Sequence, residues 1–257
     1  MPYIKRTVQA GRVREVKKYY TTRYNKKGVK RSPNLKQTKA AQHKVNERAA
    51  EDRLRWKINA NFRRHDMHIV LHYYDQARTL KEAERDLSRF KKIMRRAYKK
   101  QGREMKYISA IETKRMTNIH MHLIINKIDA EIIATVWSEI TGDTGGVSIR
   151  LLDRRGNHAK LAAYLIKETR QPVDSEEEDE RAESNRRLPG SKRYSCSRNL
   201  VAPEPKYEIV HASNWLREPR PSRGWELYRF DDGSNARVGW HDVTGYPFQE
   251  YFQIKTE

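Results

Sequence analysis

The segment Asn118–Asn126 (NIHMHLIIN) constrains the fold more than any other part of the chain. Its residue types favour a β-strand, in which successive side chains point to opposite faces of the sheet. His120 and His122 would then share one face. The other face would carry four apolar residues, Ile119, Met121, Leu123 and Ile125. We therefore expect one face of this strand to pack into a core and the other to offer two imidazoles to a metal ion.

The patterns on both sides of this strand predict a compact α+β unit. Hydrophobic periodicity predicts strands at 67–74, 106–113, 118–126 and 146–152, and helices at 79–100, 129–140 and 157–169. The two middle strands are close in sequence and should form a hairpin, and Asn157 is expected to cap the last helix. This order predicts a ferredoxin-like or RRM-like antiparallel sheet with helices, followed by one further helix.

Changes in composition divide the rest of the chain. Residues 1–34 are basic and without a regular pattern, so we predict an N-terminal arm, and 35–59 form a predicted helix that leads a domain ending at 170. Residues 171–190 include the acidic run Glu176–Glu180 (EEEDE) and are predicted to be a flexible linker. Residues 191–257 are rich in aromatic side chains, which predicts a β-rich C-terminal extension.

The charge of the chain points to a nucleic-acid partner. It has 54 Lys and Arg against 33 Asp and Glu, a net charge of +21, which attracts polyanions. In the basic arm, lysines are interleaved with tyrosines, an arrangement that suits single-stranded DNA, with a solvated tail as the alternative. The lysines expected to contact DNA there are Lys17, Lys18, Lys26 and Lys27. The single cysteine excludes an intrachain disulfide, and the lack of a signal-like or membrane-spanning run predicts a cytoplasmic protein.

A third metal ligand is expected on the strand that precedes the histidines. Glu112 is the best candidate, provided that the hairpin register puts it on the same face as His120 and His122. Two imidazoles and a carboxylate leave coordination positions open for phosphate oxygens, and this mixed ligand set suits Mn²⁺ or Mg²⁺. Taken alone, the two histidines could equally be a structural or surface pair.

The predicted helix at 157–169 carries a candidate nucleophile. Lys160, Tyr164 and Lys167 fall on one stripe at about 100° per residue, and apolar residues cover the opposite arc. A phenol, with a pKa of about 10, needs activation, which a nearby metal ion and lysine would supply. Lys160 and Lys167 could also hold flanking phosphates. The alternative is a half-buried amphipathic tyrosine beside two lysines.

Together, three ordered motifs resemble those of the HUH endonucleases, and within them the single-tyrosine replication initiators of bacterial plasmids, phages and integrative elements. Ile69–Tyr74 (IVLHYY) is similar to the first motif, His120-Met121-His122 to the histidine motif, and Tyr164-Leu165-Ile166-Lys167 to the Y-x-x-K motif. Glu112 stands where the family often has its remaining metal ligand. The resemblance covers about 66–169.

This resemblance implies an HUH nicking domain that initiates rolling-circle replication. Tyr164 would form a 5′-phosphotyrosine with help from Lys167, and Glu112, His120 and His122 would bind Mn²⁺ or Mg²⁺. The implied partners are single-stranded DNA or an origin hairpin, a DNA polymerase and a host helicase. The helicase is implied because the sequence has no G-x-x-x-x-G-K-[ST] phosphate loop of its own. No membrane partner is implied, and a transient dimer is compatible with this mode of action.

Other functions remain open at the level of sequence. A conjugative relaxase or a single-strand transposase would use the same chemistry, and a non-enzymatic RRM-like protein would bind nucleic acid without cleaving it. A ribosome-associated protein would explain the charge but not the order of the motifs. Near 194–199, a basic surface turn would explain the composition as well as DNA contacts by Lys192, Arg193 and Arg198.

Overall fold

The protein is an α+β structure with two antiparallel sheets and four helices in the described residues, which confirms the predicted fold class. The computed structural model describes residues 3–21, 40–74, 78–112, 119–153, 156–169, 192–211, 216–241 and 245–256. The chain divides into two compact units. The central unit comprises 61–154 and 158–201, and the terminal unit comprises 1–60, 155–157 and 202–257. The predicted linker at 171–190 lies outside the described residues.

The elements follow one another in an order close to the predicted one. In chain order they are β1 (Tyr3–Ala10), β2 (Val13–Tyr20), α1 (Ala40–Asn61), β3 (Met67–Tyr73), α2 (Leu80–Lys100), β4 (Tyr107–Ile111), β5 (Met121–Ile125), α3 (Ala130–Thr141), β6 (Gly145–Leu151), α4 (Ala159–Glu168), β7 (Ser195–Cys196), β8 (Lys206–Val210), β9 (Trp225–Leu227), β10 (Arg237–Trp240) and β11 (Pro247–Lys255). No helix in the described part of the chain is long and apolar enough to cross a bilayer.

The sheet of the central unit has the strand order β6-β3-β5-β4-β7, and all its pairs are antiparallel. The pairing of β4 with β5 confirms the predicted hairpin. Apolar side chains of β3 and β5 pack on α2 and α3 in a single core, which includes Met121, Leu123, Phe90 and Trp137. As predicted, the apolar face of β5 is the core face, and this leaves the face with the imidazoles on the opposite side of the sheet.

Capping residues mark the starts of the helices in the central unit. Thr79 caps α2 in a capping box with Glu82, and the Asp129 side chain accepts from the backbone N–H of Glu131 at the start of α3. The predicted cap of α4 is wrong by one residue, because the N-cap is His158 rather than Asn157. The carbonyl of His158 already accepts from the Ala162 N–H, so the first helical hydrogen bond starts there.

The sheet of the terminal unit has the order β10-β11-β2-β1-β8, and β9 pairs with β11. Residues 3–20, expected to be irregular, instead form β1 and β2. Their buried residues include Ile4, Val8, Val13 and Val16. The basic and aromatic residues between them obscured this alternation in the sequence. At the turn, Gly11 has a φ of +59°, and a Cβ there would lie 2.3 Å from the Asn59 carbonyl oxygen, so a side chain would not fit.

An ion-pair network joins α1 to the first two strands inside the terminal unit. The Arg55 guanidinium lies 2.5 Å from Glu15 and 2.8 Å from Asp52, and Arg6 contacts the same two carboxylates at 2.6 and 2.8 Å. The indole N–H of Trp56 also donates to Glu15 at 2.7 Å. Burial opposes ionisation of Asp52, but the charges of Arg55 and Arg6 outweigh it and lower the pKa of Asp52. The two guanidinium groups therefore balance the charges of the two carboxylates.

Candidate functional site

The β4–β5 hairpin brings the three candidate metal ligands together. Ala110 is opposite His122 in the register, and the Glu112 N–H donates to the His120 carbonyl at 2.8 Å. Glu112 Oε2 lies 3.3 Å from His120 Nδ1 and 3.3 Å from His122 Nε2. Glu112 and His122 are almost completely buried, whereas His120 is half-buried. The register condition that the sequence left open is thus met, since all three side chains meet on one face.

The donor atoms of this set fit a hard or borderline divalent cation. Two imidazole nitrogens and one carboxylate oxygen are an acceptable ligand set for Mn²⁺ and, with more oxygen ligands, for Mg²⁺. The Glu112 carboxylate is buried, and a cation bound beside it would offset part of the cost of burying its charge. The types of donor atom in this set are therefore compatible with a bound metal ion.

Two further histidines on β3 belong to the same face. His68 Nε2 lies 3.3 Å from His122 Nδ1, and the rings of His72 and His120 have centroids 6.1 Å apart. Burial, the neighbouring His122 and then Arg150 lower the pKa of His68 to about 4, so His68 is neutral near pH 7. The sequence showed that His68 and His72 share a face, but not that it is the face of the candidate ligands. That follows from β3 pairing directly with β5.

Helix α4 holds the candidate nucleophile against this face. Ala162, Leu165 and Ile166 are buried, which anchors the helix through its apolar arc. The Tyr164 ring stands edge-on to His122, with centroids 5.4 Å apart and an interplanar angle of 86°, and 41% of Tyr164 is exposed. Lys160 and Lys167 are exposed on the same helix. Tyr164 therefore points towards the histidine face, the direction that the sequence predicted.

A cavity of about 510 Å³ opens over the histidine face. It is lined by His68, Val70, His72, His120, His122, Ser148, Arg150, Leu161 and Tyr164. Arg150 and Ser148, on β6, are the members that sequence reasoning missed. They line the cleft because β6 pairs with β3. The alternation of side chains along β6 was the signal that could have identified them. An arginine, a hydroxyl and imidazoles in one cleft can bind a phosphate group.

The predicted DNA-binding cations have different surroundings. Arg198 lines a separate basic cavity of about 760 Å³ together with Arg95, Lys99 and Arg103. Lys192 is exposed and Arg193 is half-buried, and neither lines that cavity. Lys17 and Lys18 are neighbours on β2 and so lie on opposite faces of the sheet, with their ammonium groups near the rings of Phe248 and Tyr251. Lys26 and Lys27 lie outside the described residues.

A second group of acidic side chains could also bind a metal ion. One oxygen each from Glu15, Asp52 and Glu250 lies within 4.8 Å of the others. Arg55 and Arg6 already contact these carboxylates, and burial raises the pKa of Glu250. A cation would therefore have to compete with two guanidinium groups.

A comparison with protein families supports a role in DNA replication. Residues 66–171 match the family described as replication-associated protein ORF2/G2P, which supports a replication initiator of Rep type. The matched segment is less than half of the chain and runs from just before β3 to just after α4. It contains Glu112, His120 and His122 together with Tyr164 and Lys167. A search of curated proteins found no match, and a search of solved structures found none either.

Proposed function

We propose that this protein initiates rolling-circle replication by nicking and rejoining single-stranded DNA at an origin. The observation that carries the proposal is the contact of Tyr164 with His122, whose other side faces the Glu112 carboxylate. Tyr164 and the two imidazoles line a cleft that also contains Arg150, and the Glu112 carboxylate contacts both imidazoles. The family match to a replication-associated protein supports DNA as the substrate.

In this proposal, Glu112, His120 and His122 would hold Mn²⁺ or Mg²⁺. A bound ion would neutralise charge on the scissile phosphate and make its phosphorus more electrophilic. Glu112 reaches both imidazoles from one carboxylate oxygen and so fixes the orientation of the ligand set. His68, through its contact with His122 Nδ1, limits the rotation of that ring.

Tyr164 is the proposed nucleophile. Its hydroxyl oxygen forms a bond to phosphorus while the bond from phosphorus to the 3′ oxygen breaks, and the phenol proton passes through solvent to the leaving oxygen. The products are a 5′-phosphotyrosine and a free 3′-hydroxyl, which a polymerase can extend. Attack by a 3′-hydroxyl on the phosphotyrosine reverses these bond changes and rejoins the strand. Lys167, one turn further along α4, and Lys160 would position the phosphates on either side.

DNA binding outside the cleft would depend on basic side chains. The cavity with Arg198, Arg95, Lys99 and Arg103 places four cations around one acid, Glu104, and would accept a phosphate of the backbone. Lys192 and Arg193 lie a few residues before Arg198 in the sequence and would extend the basic surface around this cavity. Such contacts hold the strand in place but do not read its sequence.

The decisive experiment is a search for a covalent adduct. The full chain is incubated with Mn²⁺ and a labelled single-stranded origin oligonucleotide, and a denaturing gel resolves protein-linked DNA. Tyr164→Phe should abolish the adduct and leave binding intact, because it removes only the hydroxyl. Tyr207→Phe, at an exposed tyrosine of the terminal unit, is the matched control and should behave as wild type. An adduct of normal yield in Tyr164→Phe would reject the assigned nucleophile.

The same experiment separates the alternative functions. A relaxase or a single-strand transposase would form the same adduct, but on a transfer-origin or transposon-end oligonucleotide rather than on a replication origin. A non-enzymatic RRM-like protein would bind the strand and form no adduct with any of them. Addition of EDTA should stop adduct formation by a relaxase or a transposase, because both enzymes depend on the same metal-assisted step.

A further inference from the structure

The sheet of the terminal unit carries a row of rings along one of its faces. Tyr3 is directly opposite Tyr20, and Pro247 is directly opposite Trp240. The register of β2 with β11 brings Pro247 beside Tyr20. Residues that are directly opposite in a sheet point to the same face, so Trp240, Pro247, Tyr20 and Tyr3 form one row across β10, β11, β2 and β1.

The row is partly exposed, and its tyrosine rings are in contact with one another. Trp240 is 71% exposed and Tyr246, which precedes β11, is 43% exposed. The rings of Tyr20 and Tyr246 have centroids 3.8 Å apart, and those of Tyr3 and Tyr20 are 5.7 Å apart in an edge-to-face arrangement. A partly exposed aromatic surface with a largely exposed tryptophan at one end indicates a binding site, because apolar surface left in water costs free energy.

A pair of lysines lies beside the aromatic row; Lys5 is half-buried and Lys18 is 8% exposed. Lys18 and Lys5 are directly opposite each other, two residues from Tyr20 and Tyr3 along their strands, and therefore on the same face. Like charges in this position repel each other. Lys5 contacts Glu208 at 2.9 Å, and burial together with the charge of Lys5 lowers the pKa of Lys18. An anion bound at the more accessible Lys5 would offset this repulsion.

We propose that this surface, the aromatic row with the lysine pair, binds single-stranded DNA in addition to the nicking cleft. Unpaired bases would stack on Trp240 and on the tyrosines, and a phosphate would lie at Lys5, with the charge of Lys18 behind it. Neighbouring strands are about 4.8 Å apart, so rings of successive strands can meet successive bases of an extended chain. Duplex DNA is disfavoured because its bases are already stacked. The choice of DNA rather than RNA rests on the proposed function.

The test measures binding without cleavage. The full chain carrying Tyr164→Phe, in buffer without divalent metal, is titrated into a labelled oligothymidylate, and its affinity is read by fluorescence anisotropy. Adding Trp240→Ala should weaken binding roughly 5- to 150-fold, the range expected for the loss of one stacked base. Trp240→Phe should restore most of the affinity, because it keeps a ring at this position.

Tyr207→Ala is the matched control. Tyr207 is 53% exposed and opposite Arg6, so it lies on the other face of the same sheet. Its substitution should leave the affinity unchanged, and circular dichroism should show that all variants keep the fold. Unchanged binding in Trp240→Ala, an equal loss in Tyr207→Ala, or equal affinity for a duplex of the same length would each overturn the proposal.

Self-association is the remaining alternative for this surface, and light scattering distinguishes it. A change in mass in Trp240→Ala with unaltered DNA affinity would mean that the surface joins two copies of the chain, which would also overturn the proposal. Failure here is separable from failure of the proposed function. Binding to oligothymidylate needs neither an origin nor a metal ion, whereas the adduct of the wild-type chain depends on the nicking cleft.

Discussion

At the scale of single residues, His122 is the side chain on which the candidate site depends. Its Nε2 faces Glu112 and its Nδ1 faces His68, each at 3.3 Å, and the Tyr164 ring lies against it. A neutral His68 can accept a hydrogen bond from the N–H at His122 Nδ1, which leaves the lone pair of His122 Nε2 available to a metal ion. His68 would then act by positioning His122.

The first prediction tests this positioning role. His68→Ala should weaken Mn²⁺ binding about 10- to 100-fold, the usual cost of removing a partner of a metal ligand. His68→Gln should recover part of the affinity, because an amide oxygen can accept the same hydrogen bond. Calorimetric titration with Mn²⁺ gives the affinities, and the exposed His65 provides the control His65→Ala. Equal affinities in all three variants would mean that His68 only fills space.

The second prediction concerns acid stability and His158. Burial lowers the pKa of His158 to about 4, with a smaller opposing effect from Asp153. The unfolded chain, with an ordinary histidine pKa, binds this proton first, so stability is full above about pH 6.5 and falls as the pH drops towards 4. The loss should reach about 2–3 kcal/mol at pH 4.5. His158→Asn should reduce the difference between urea unfolding at pH 7 and pH 4.5, and an unchanged difference would contradict the prediction.

At the scale of elements, helix α4 shows how an apolar arc can aim a catalytic group. Leu165 is 2% exposed and lies next in sequence to Tyr164, so the docking of one sets the position of the other. Leu165→Ala should cost about 2–5 kcal/mol in the free energy of unfolding, from lost burial and the resulting cavity. Urea unfolding measures this cost, and Leu151→Ala, at a leucine that is 63% exposed, should stay within about 0.5 kcal/mol of wild type.

The sequence predicted those elements whose pattern was strong and uninterrupted. Strand β5 and helix α2 were predictable because apolar residues recur with clear periods of two and of three to four. Strands β1 and β2 were missed because cations and tyrosines lie on both faces, with Arg6 between Ile4 and Val8, and hide the alternation. The place of His68 in the site could not be predicted, because it depends on which strands are neighbours in the sheet.

At the scale of the whole molecule, the terminal unit joins distant parts of the chain. Strands β2 and β1 lie between β11 and β8 in one sheet, although about 190 residues or more separate the two pairs in sequence. A chain that starts at residue 35 would lose both inner strands. We expect its remaining strands, β8 to β11, to lose protection from hydrogen exchange, while β3, β5 and α2 keep theirs. Protection of β11 at the wild-type level in this deletion would contradict the expectation.

The same topology sets an order of events during translation. The hairpin of β1 and β2 leaves the ribosome long before β11 is made, and at 5–20 residues per second it waits roughly 10–50 s for that partner. During this time the edge of β2 that will bind β11 is open to any other nascent strand. The charges at Arg14, Lys17 and Lys18 along this edge repel a second copy of the same hairpin. In a chain being synthesised, these cations therefore protect against aggregation before the sheet that contains them exists.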